Sequence, residues 1–266
     1  VMLFPVRTAT LWSSFPSVEP GDGGAMPSNF YVGNAAPAGA LIAFYQATPA
    51  KERPWLEIVD ANHRVVRTLR GSYVTDEGKK YWVPNVKGIV RVNWDGTEDG
   101  PVRWNGTSVQ NLGPLSGAEA LPGTYTVRLH RDGHVSEQTF ALRDDPQSPF
   151  TSAQRTQRHV FLAELFADFD AVDRALNTID AQSKHASPAR RAALAALRDR
   201  LTANDLHDED SIAKPDRIRE QIGALIGQLG ESLQPPFAQH DAALAALRPH
   251  VQAALADARR VLGEAP

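Results

Sequence analysis

The 266-residue sequence carries 28 basic and 31 acidic residues for a net charge of −3, with 42% hydrophobic and 22% charged residues. That balance belongs to a globular chain, not a disordered one, and gives no electrostatic reason to expect nucleic acid or an anionic membrane as partner. Cysteine is absent, which excludes disulfides, thiolate metal ligands and cysteine nucleophiles, and no apolar run approaches the roughly 20 residues that cross a bilayer. The chain starts at Val1 without an initiator Met or a visible signal peptide, as expected of a processed or trimmed polypeptide.

Composition shifts near residue 150. Residues 1–150 hold 15 of the 19 Gly, 13 of the 19 Pro and every Trp and Tyr, whereas residues 151–266 hold 25 Ala against 13 before them. Residues 1–38, rich in Pro, Gly and Ser, read as an irregular connector. Strands are predicted at Ala40–Gln46, Trp55–Asp60, Val65–Arg70, Ile89–Trp94, Thr124–His130 and Val135–Arg143, where aromatic and β-branched runs are broken by turn residues. Val90, Val92 and Trp94 alternate with Arg91 and Asn93, and Tyr125, Val127 and Leu129 with Thr126 and Arg128, so one face of each is core. Asp132-Gly133 is a hairpin turn signal, and Asp60-Ala61-Asn62-His63 a polar turn. Residues 39–145 are therefore expected to form an antiparallel β-sandwich.

Beyond Pro146 and Pro149 the period changes. Leu162, Leu165, Phe169, Val172, Leu176 and Ile179 recur at alternating spacings of three and four, the apolar face of a helix over 153–183 about 46 Å long. Thr151 or Ser152 can cap its start. Ser187-Pro188 opens a second helix carrying Leu194, Leu197 and Leu201, and Pro215 a third carrying Ile218, Ile222, Leu225 and Leu229. Pro235-Pro236 precedes a fourth with Phe237, Leu244, Leu247, Val251, Leu255 and Leu262, in which Pro249 predicts a kink or break. An antiparallel, up-and-down three- or four-helix bundle over 150–266 follows, and the fold class is α+β with two domains.

Several stretches carry a family likeness. NAAPAGALIAFYQ (Asn34–Gln46), LEIVDANHRVVRTLRG (Leu56–Gly71), VNWDGT (Val92–Thr97), LPGTYTVRLHRDG (Leu121–Gly133) and the opening VMLFPVRTATLW resemble the C-terminal module of bacterial sortilin-type β-propeller proteins, the BNR-repeat glycosyl hydrolases. The resemblance covers residues 1–180. It implies an immunoglobulin-like sandwich, similar to that of flagellar hook-capping proteins, continued by a helical region. It also implies export to the periplasm or outside the cell, and a parent β-propeller or another subunit as partner. No propeller repeat and no Asp-box occurs in this sequence, so the resemblance assigns any hydrolase activity to the propeller.

Candidate chemistry is sparse. Asp95, Glu98 and Asp99 in NWDGTEDG could serve glycoside hydrolysis as paired carboxylates, but Asp-Gly beside a strand is first of all turn chemistry. Asp205, His207, Asp208, Glu209 and Asp210 lack EF-hand spacing and read as a solvated acidic loop. The eight His show no HExxH spacing, the Gly-rich Glu19–Asn29 stretch lacks a Gly-Lys-Ser/Thr ending, and no Gly-x-Ser-x-Gly elbow occurs. Trp55, Trp82, Trp94 and Trp104 with Tyr73, Tyr81 and Tyr125 supply aromatic surface. Trp94 and Tyr125 are expected in the core, while Tyr81, Trp82 and Trp104 are the candidates for an exposed carbohydrate-binding platform. No cofactor, metal or catalytic residue is proposed. The primary expectation is a non-catalytic structural or interaction module, followed by a carbohydrate-binding accessory module and then a hydrolase acting through Asp95.

Overall fold

A computed structural model describes residues 1–12, 38–75, 77–107, 113–203, 215–230 and 234–263. The strands are β1 (Met2–Leu3), β2 (Ala9–Leu11), β3 (Ala40–Gln46), β4 (Trp55–Asp60), β5 (Val65–Leu69), β6 (Ser72–Thr75), β7 (Gly78–Tyr81), β8 (Gly88–Trp94), β9 (Thr97–Asp99), β10 (Ser116–Glu119), β11 (Gly123–Arg131) and β12 (His134–Asp144). The helices are α1 (Ser152–Ser183), α2 (Pro188–Leu201), α3 (Ile218–Gly230) and α4 (Ala238–Leu262). The fold is thus α+β, with mostly antiparallel sheets preceding four helices among the described residues. The chain forms two compact units, Val1–Tyr73 with Lys80–Thr97 and Ala120–Pro149, and Val74–Lys79 with Glu98–Glu119 and Phe150–Pro266.

In the first unit, a three-stranded sheet runs β1-β3-β8 and a five-stranded sheet β2-β12-β11-β4-β5. The alternation read from sequence sets the register. Ile42 pairs with Val92 and Phe44 with Val90, while Val127 pairs with Ile58 and Leu129 with Leu56. These side chains, with Trp94, Tyr125, Phe140 and Leu142, form one buried cluster drawn from both sheets. The β11–β12 turn takes φ 48° at Asp132 and 80° at Gly133, the paired positive angles of a two-residue hairpin. The Asp60 side chain closes the other predicted turn, accepting from Asn62 N at 2.9 Å and Arg64 N at 3.0 Å.

Two expectations are corrected here. The connector expected over 1–38 contains β1 and β2. Leu3, Ala9 and Leu11 are buried, and β2 joins the five-stranded sheet parallel to β12, Leu142 opposite Ala9. Strands of two or three residues have too few positions to show a period, so composition dominated the reading. Residues 13–37, including Glu19–Asn29, lie outside the described residues, as does the acidic loop from Asp205 to Asp210. The second correction concerns the extent of the sandwich expected over 39–145, since a unit boundary does fall at Pro149/Phe150 but residues 74–79 lie with the helical unit. Residues 98–119 belong with the helices, because Trp104 and Ala118 are buried in the helical core cluster.

Within that second unit, α1 is capped by Thr151, whose Oγ1 accepts from Gln154 N at 3.3 Å while Gln154 Oε1 accepts from Thr151 N at 2.9 Å. Ser187 Oγ accepts from Arg190 N at 3.3 Å to start α2. The leucine stripe of α1 meets Leu194, Leu197 and Leu201 of α2, Ile222 and Leu229 of α3, and Leu244 and Val251 of α4. Directions follow from cross-contacts. Arg219 reaches back to Asp173, and a side chain on Gly223 would meet Phe169, so α3 opposes α1. Arg248 bonds Glu164, and Gln182 bonds the carbonyl of Leu262, so α4 runs with α1. The short link from Ser183 to Pro188 turns α2 against α1. Hence α2 and α3 both oppose α1, so consecutive helices do not alternate as the four-helix form of the expectation requires. Glu220 ties them end to end, accepting from Thr202 Oγ1 at 2.6 Å and Ala203 N at 2.9 Å. Helix α4 continues through Pro249 without a break.

Candidate functional site

The three nominated aromatics occupy different environments. Tyr81 is 46% exposed, and the Arg53 guanidinium lies 3.7 Å from its ring centroid. Trp82 is half-buried against Tyr73, ring centroids 4.1 Å apart, with Arg67 over it at 5.0 Å. Trp104 is 1% exposed and has no face to offer a sugar, which corrects the exposure expected of it. Its polar neighbours in PVRWNG suggested surface, but tertiary packing overrides that local cue. Trp55 carries His130 stacked at 3.7 Å and Arg70 at 4.8 Å. Trp94 and Tyr125 are core residues, as alternation predicts. A stacking platform needs open ring faces, and these rings already carry cations or other rings.

Asp95 adopts the turn role. Its Oδ1 accepts from Thr97 N at 3.0 Å and Thr97 Oγ1 at 2.6 Å, and Gly96 takes φ 82°, an angle that favours glycine. Glu98 lies 3.8 Å from His159 Nε2. Among the described residues no group of His, Asp and Glu could hold a metal ion.

The most organised polar constellation lies in the second unit, along α1. Asp170, Asp173, Asn177 and Asp180 project on one stripe and hold residues 102–105, which run in the same direction as the helix. Asp170 Oδ1 accepts from Val102 N at 2.7 Å, Asp173 Oδ2 from Trp104 N at 2.9 Å, and Asn177 Oδ1 from Asn105 N at 3.1 Å. Asn177 Nδ2 donates to Arg103 O at 3.0 Å, and the Trp104 indole N–H donates to Asp180 Oδ2 at 2.7 Å. The helix side chains replace the ladder that a neighbouring strand would supply, so backbone groups are satisfied away from any sheet. The indole then fills a socket among the helices, where burial of about 200 Å² of aromatic surface is the main stabilising contribution.

Cations complete the clasp. Arg219 donates through Nε to Asp173 Oδ1 at 2.6 Å and through a terminal nitrogen to Oδ2 at 3.1 Å. Its guanidinium also sits 4.7 Å from the Phe169 ring and 5.7 Å from Trp104. Arg198 pairs with Asp180. Burial pushes the Asp173 carboxyl above the ordinary carboxylate range, opposed by Arg219 and the Trp104 N–H. Burial, joined by the like charge of Arg219, lowers the Arg103 guanidinium. Removing one partner of the buried Asp173–Arg219 pair costs about 3–5 kcal/mol, because the other charge is left uncompensated. The carboxylates and Asn177 are engaged with residues 102–105 and with Arg219 and Arg198. The buried Nε atoms of Arg103 and Arg198 have no hydrogen-bond partner among the described residues, and the arrangement is that of a packing device.

Sequence reasoning missed the clasp, although a signal was present. Asp170, Asp173, Asn177 and Asp180 each follow a residue of the apolar stripe by one position (Phe169, Val172, Leu176, Ile179). A polar stripe riding beside the core face is a mark of buried polar partners.

Elsewhere on this unit, an open groove of about 340 Å³ lies between α3 and α4. Ala224, Ala243 and Ala246 line it, with Asp216 and His250 among its polar residues. Among the described residues no helix is long and apolar enough to cross a membrane. Compared with known proteins, the chain matches no family model and no curated protein.

Proposed function

We propose that the chain is a non-catalytic structural module of a larger exported protein, acting by packing on a parent β-propeller or on another subunit. In this reading the first unit is an immunoglobulin-like sandwich. Support comes from Trp94, buried against Tyr125 at 5.3 Å between ring centroids, and from the Tyr125 hydroxyl, which donates to Leu121 O at 2.6 Å. Such an upstream tyrosine bond recurs in that fold. The second unit is then a bundle in which α2 and α3 together oppose α1 and α4. The resemblance to the C-terminal modules of sortilin-type propeller proteins supplies the periplasmic or extracellular setting.

The observation that carries the interaction role is an apolar row on the outer face of the β1-β3-β8 sheet. Met2 pairs with Tyr45 and Tyr45 with Ile89, and the three are 54%, 41% and 53% exposed, with Leu41 at 54% on the same face. Contiguous exposed apolar side chains of this kind favour burial against a partner. The polar clusters, by contrast, are engaged internally, and the nominated aromatics support a glycan site poorly.

Two measurements on the whole chain test this reading. Mass is followed across concentration, and affinity is measured for the β-propeller of the parent, in wild type and in a Tyr45→Asp/Ile89→Asp variant. Self-association or propeller binding is expected in wild type, weakened about 30-fold or more in the variant, which corresponds to about 2 kcal/mol. Absence of both in wild type, or equal affinity in the variant, refutes the assignment of this face.

A further inference from the structure

The sequence contains nine asparagines, and Asn105 alone is followed by glycine. This matters chemically because the carboxamide carbon of an asparagine lies within reach of the next residue's backbone nitrogen. A following side chain obstructs that approach, whereas glycine lacks one and lets the backbone rotate into it. Asn105 is exposed. Among the described residues, no hydrogen bond holds its carboxamide or the Gly106 N–H. Other described asparagines lack this combination. Asn85 is bonded to both backbone groups of Ala50, Asn93 donates to Ala38 O, Asn177 is held at both ends of its amide, and Asn62 precedes His63.

We propose that Asn105 is a modification site, deamidating by attack of the Gly106 nitrogen, and that the product loosens the clasp around Trp104. This inference stands apart from the reading of the chain as a packing module.

The steps balance without an oxidant or reductant. The Gly106 backbone nitrogen, having given its proton to solvent base, bonds to Cγ of Asn105. The Cγ–Nδ2 bond breaks, and the amide nitrogen leaves as ammonia after taking up a proton. Water then opens the cyclic imide at one of its two carbonyls. Opening at one side gives aspartate with the original backbone. Opening at the other gives isoaspartate, whose main chain runs through the former side chain and is longer by one carbon. Overall, a carboxamide and water become a carboxylate and ammonium.

The position of the site gives the reaction its consequence. On its N-terminal side, Trp104 N–H and Asn105 N–H are fixed to Asp173 and Asn177. On its C-terminal side, Gly106 lies so close to α1 that an added Cβ would stand 2.2 Å from Asp180 Oδ2 and 2.5 Å from the indole nitrogen. An extra backbone carbon has little room where Gly106 lies against Asp180 and the indole. Either Gly106 withdraws from Asp180 or the Trp104 and Asn105 amides leave their acceptors. The new carboxylate also appears beside a stripe that already holds three aspartates.

The test ages the whole folded chain in mildly alkaline buffer at physiological temperature. A parallel sample is aged in urea. Cleavage after Arg103 and after Arg128 releases the peptide carrying Asn105, read by mass and by methylation of isoaspartyl carboxylates. Asn105 is expected to convert ahead of every other asparagine in the folded chain, and Asn105→Gln is expected to abolish the signal. Aged wild type should lose hydrogen-exchange protection at the Trp104 and Asn105 amides, while aged Asn105→Gln keeps it. Conversion in urea with Asn105 intact in the folded chain would show that the α1 anchors block the step and would overturn the proposal. So would failure to convert in either sample, or full conversion with protection at Trp104 unchanged.

Discussion

Replacing Trp104 by alanine separates the two roles this residue has been given. A surface tryptophan costs little to remove, within about 0.5 kcal/mol. In the structure its indole is buried among the helices, and about 200 Å² of aromatic surface at about 25 cal/mol per Å² amounts to about 5 kcal/mol. That figure is an upper one, because the unfolded chain already shields part of the same surface. The substitution also takes the indole donor from Asp180 Oδ2, adding about 1 kcal/mol for an acceptor left short of a partner. Partial collapse of the socket returns some of this, so the net loss is expected at about 3–5 kcal/mol, a large fraction of the 5–15 kcal/mol typical of a whole domain. Urea unfolding followed by helical circular dichroism measures it in the second unit, where the described helices lie. Trp104→Phe keeps most of the apolar filling and should lose about 1–2 kcal/mol. A loss below about 1 kcal/mol for the alanine variant, at unchanged denaturant dependence, would refute the reasoning.

Gly39 takes φ 81°, and a Cβ there would stand 1.9 Å from the Trp94 carbonyl oxygen. Gly39→Ala is therefore expected to destabilise the first unit by at least about 2 kcal/mol, read as a lowered melting temperature. Burial and the neighbouring Glu164 raise the Asp168 carboxyl above its ordinary range, with Arg248 opposing. A folded-state pKa above the unfolded value contributes stability that is complete below the unfolded pKa and disappears as pH rises through the folded one. Asp168→Asn should consequently flatten the decline of urea midpoints across the acidic range, and a direct titration of Asp168 should place it above an ordinary aspartate. An unchanged pH profile in the variant would contradict this assignment.

Much of the first unit's framework could be read in advance because its longer strands alternate cleanly. ALIAFYQ and GIVRVNW have enough residues to display a two-residue period, and they pair in the structure as β3 and β8. The caps at Thr151 and Ser187 were equally legible, since their side chains bond within three residues. What escaped was set by distance along the chain. Nothing near Trp104 in the sequence points to Asp173 or Asp180, some seventy residues further on, and local polarity suggested the opposite burial. The direction of α3 escaped for the same reason, since Arg219 finds its partner on α1 and not on a neighbour in sequence. Pro249 failed as a breaker because losing one backbone donor leaves the rest of a 25-residue helix intact.

The polypeptide passes from one compact unit to the other five times, at residues 73/74, 79/80, 97/98, 119/120 and 149/150. Neither unit is therefore a contiguous gene segment. A recombination or truncation at the obvious compositional seam would transfer the helices while leaving behind the tryptophan that plugs them. Inheritance of the helical unit by another protein requires carrying the whole span, or meeting a recipient whose own chain offers a substitute plug.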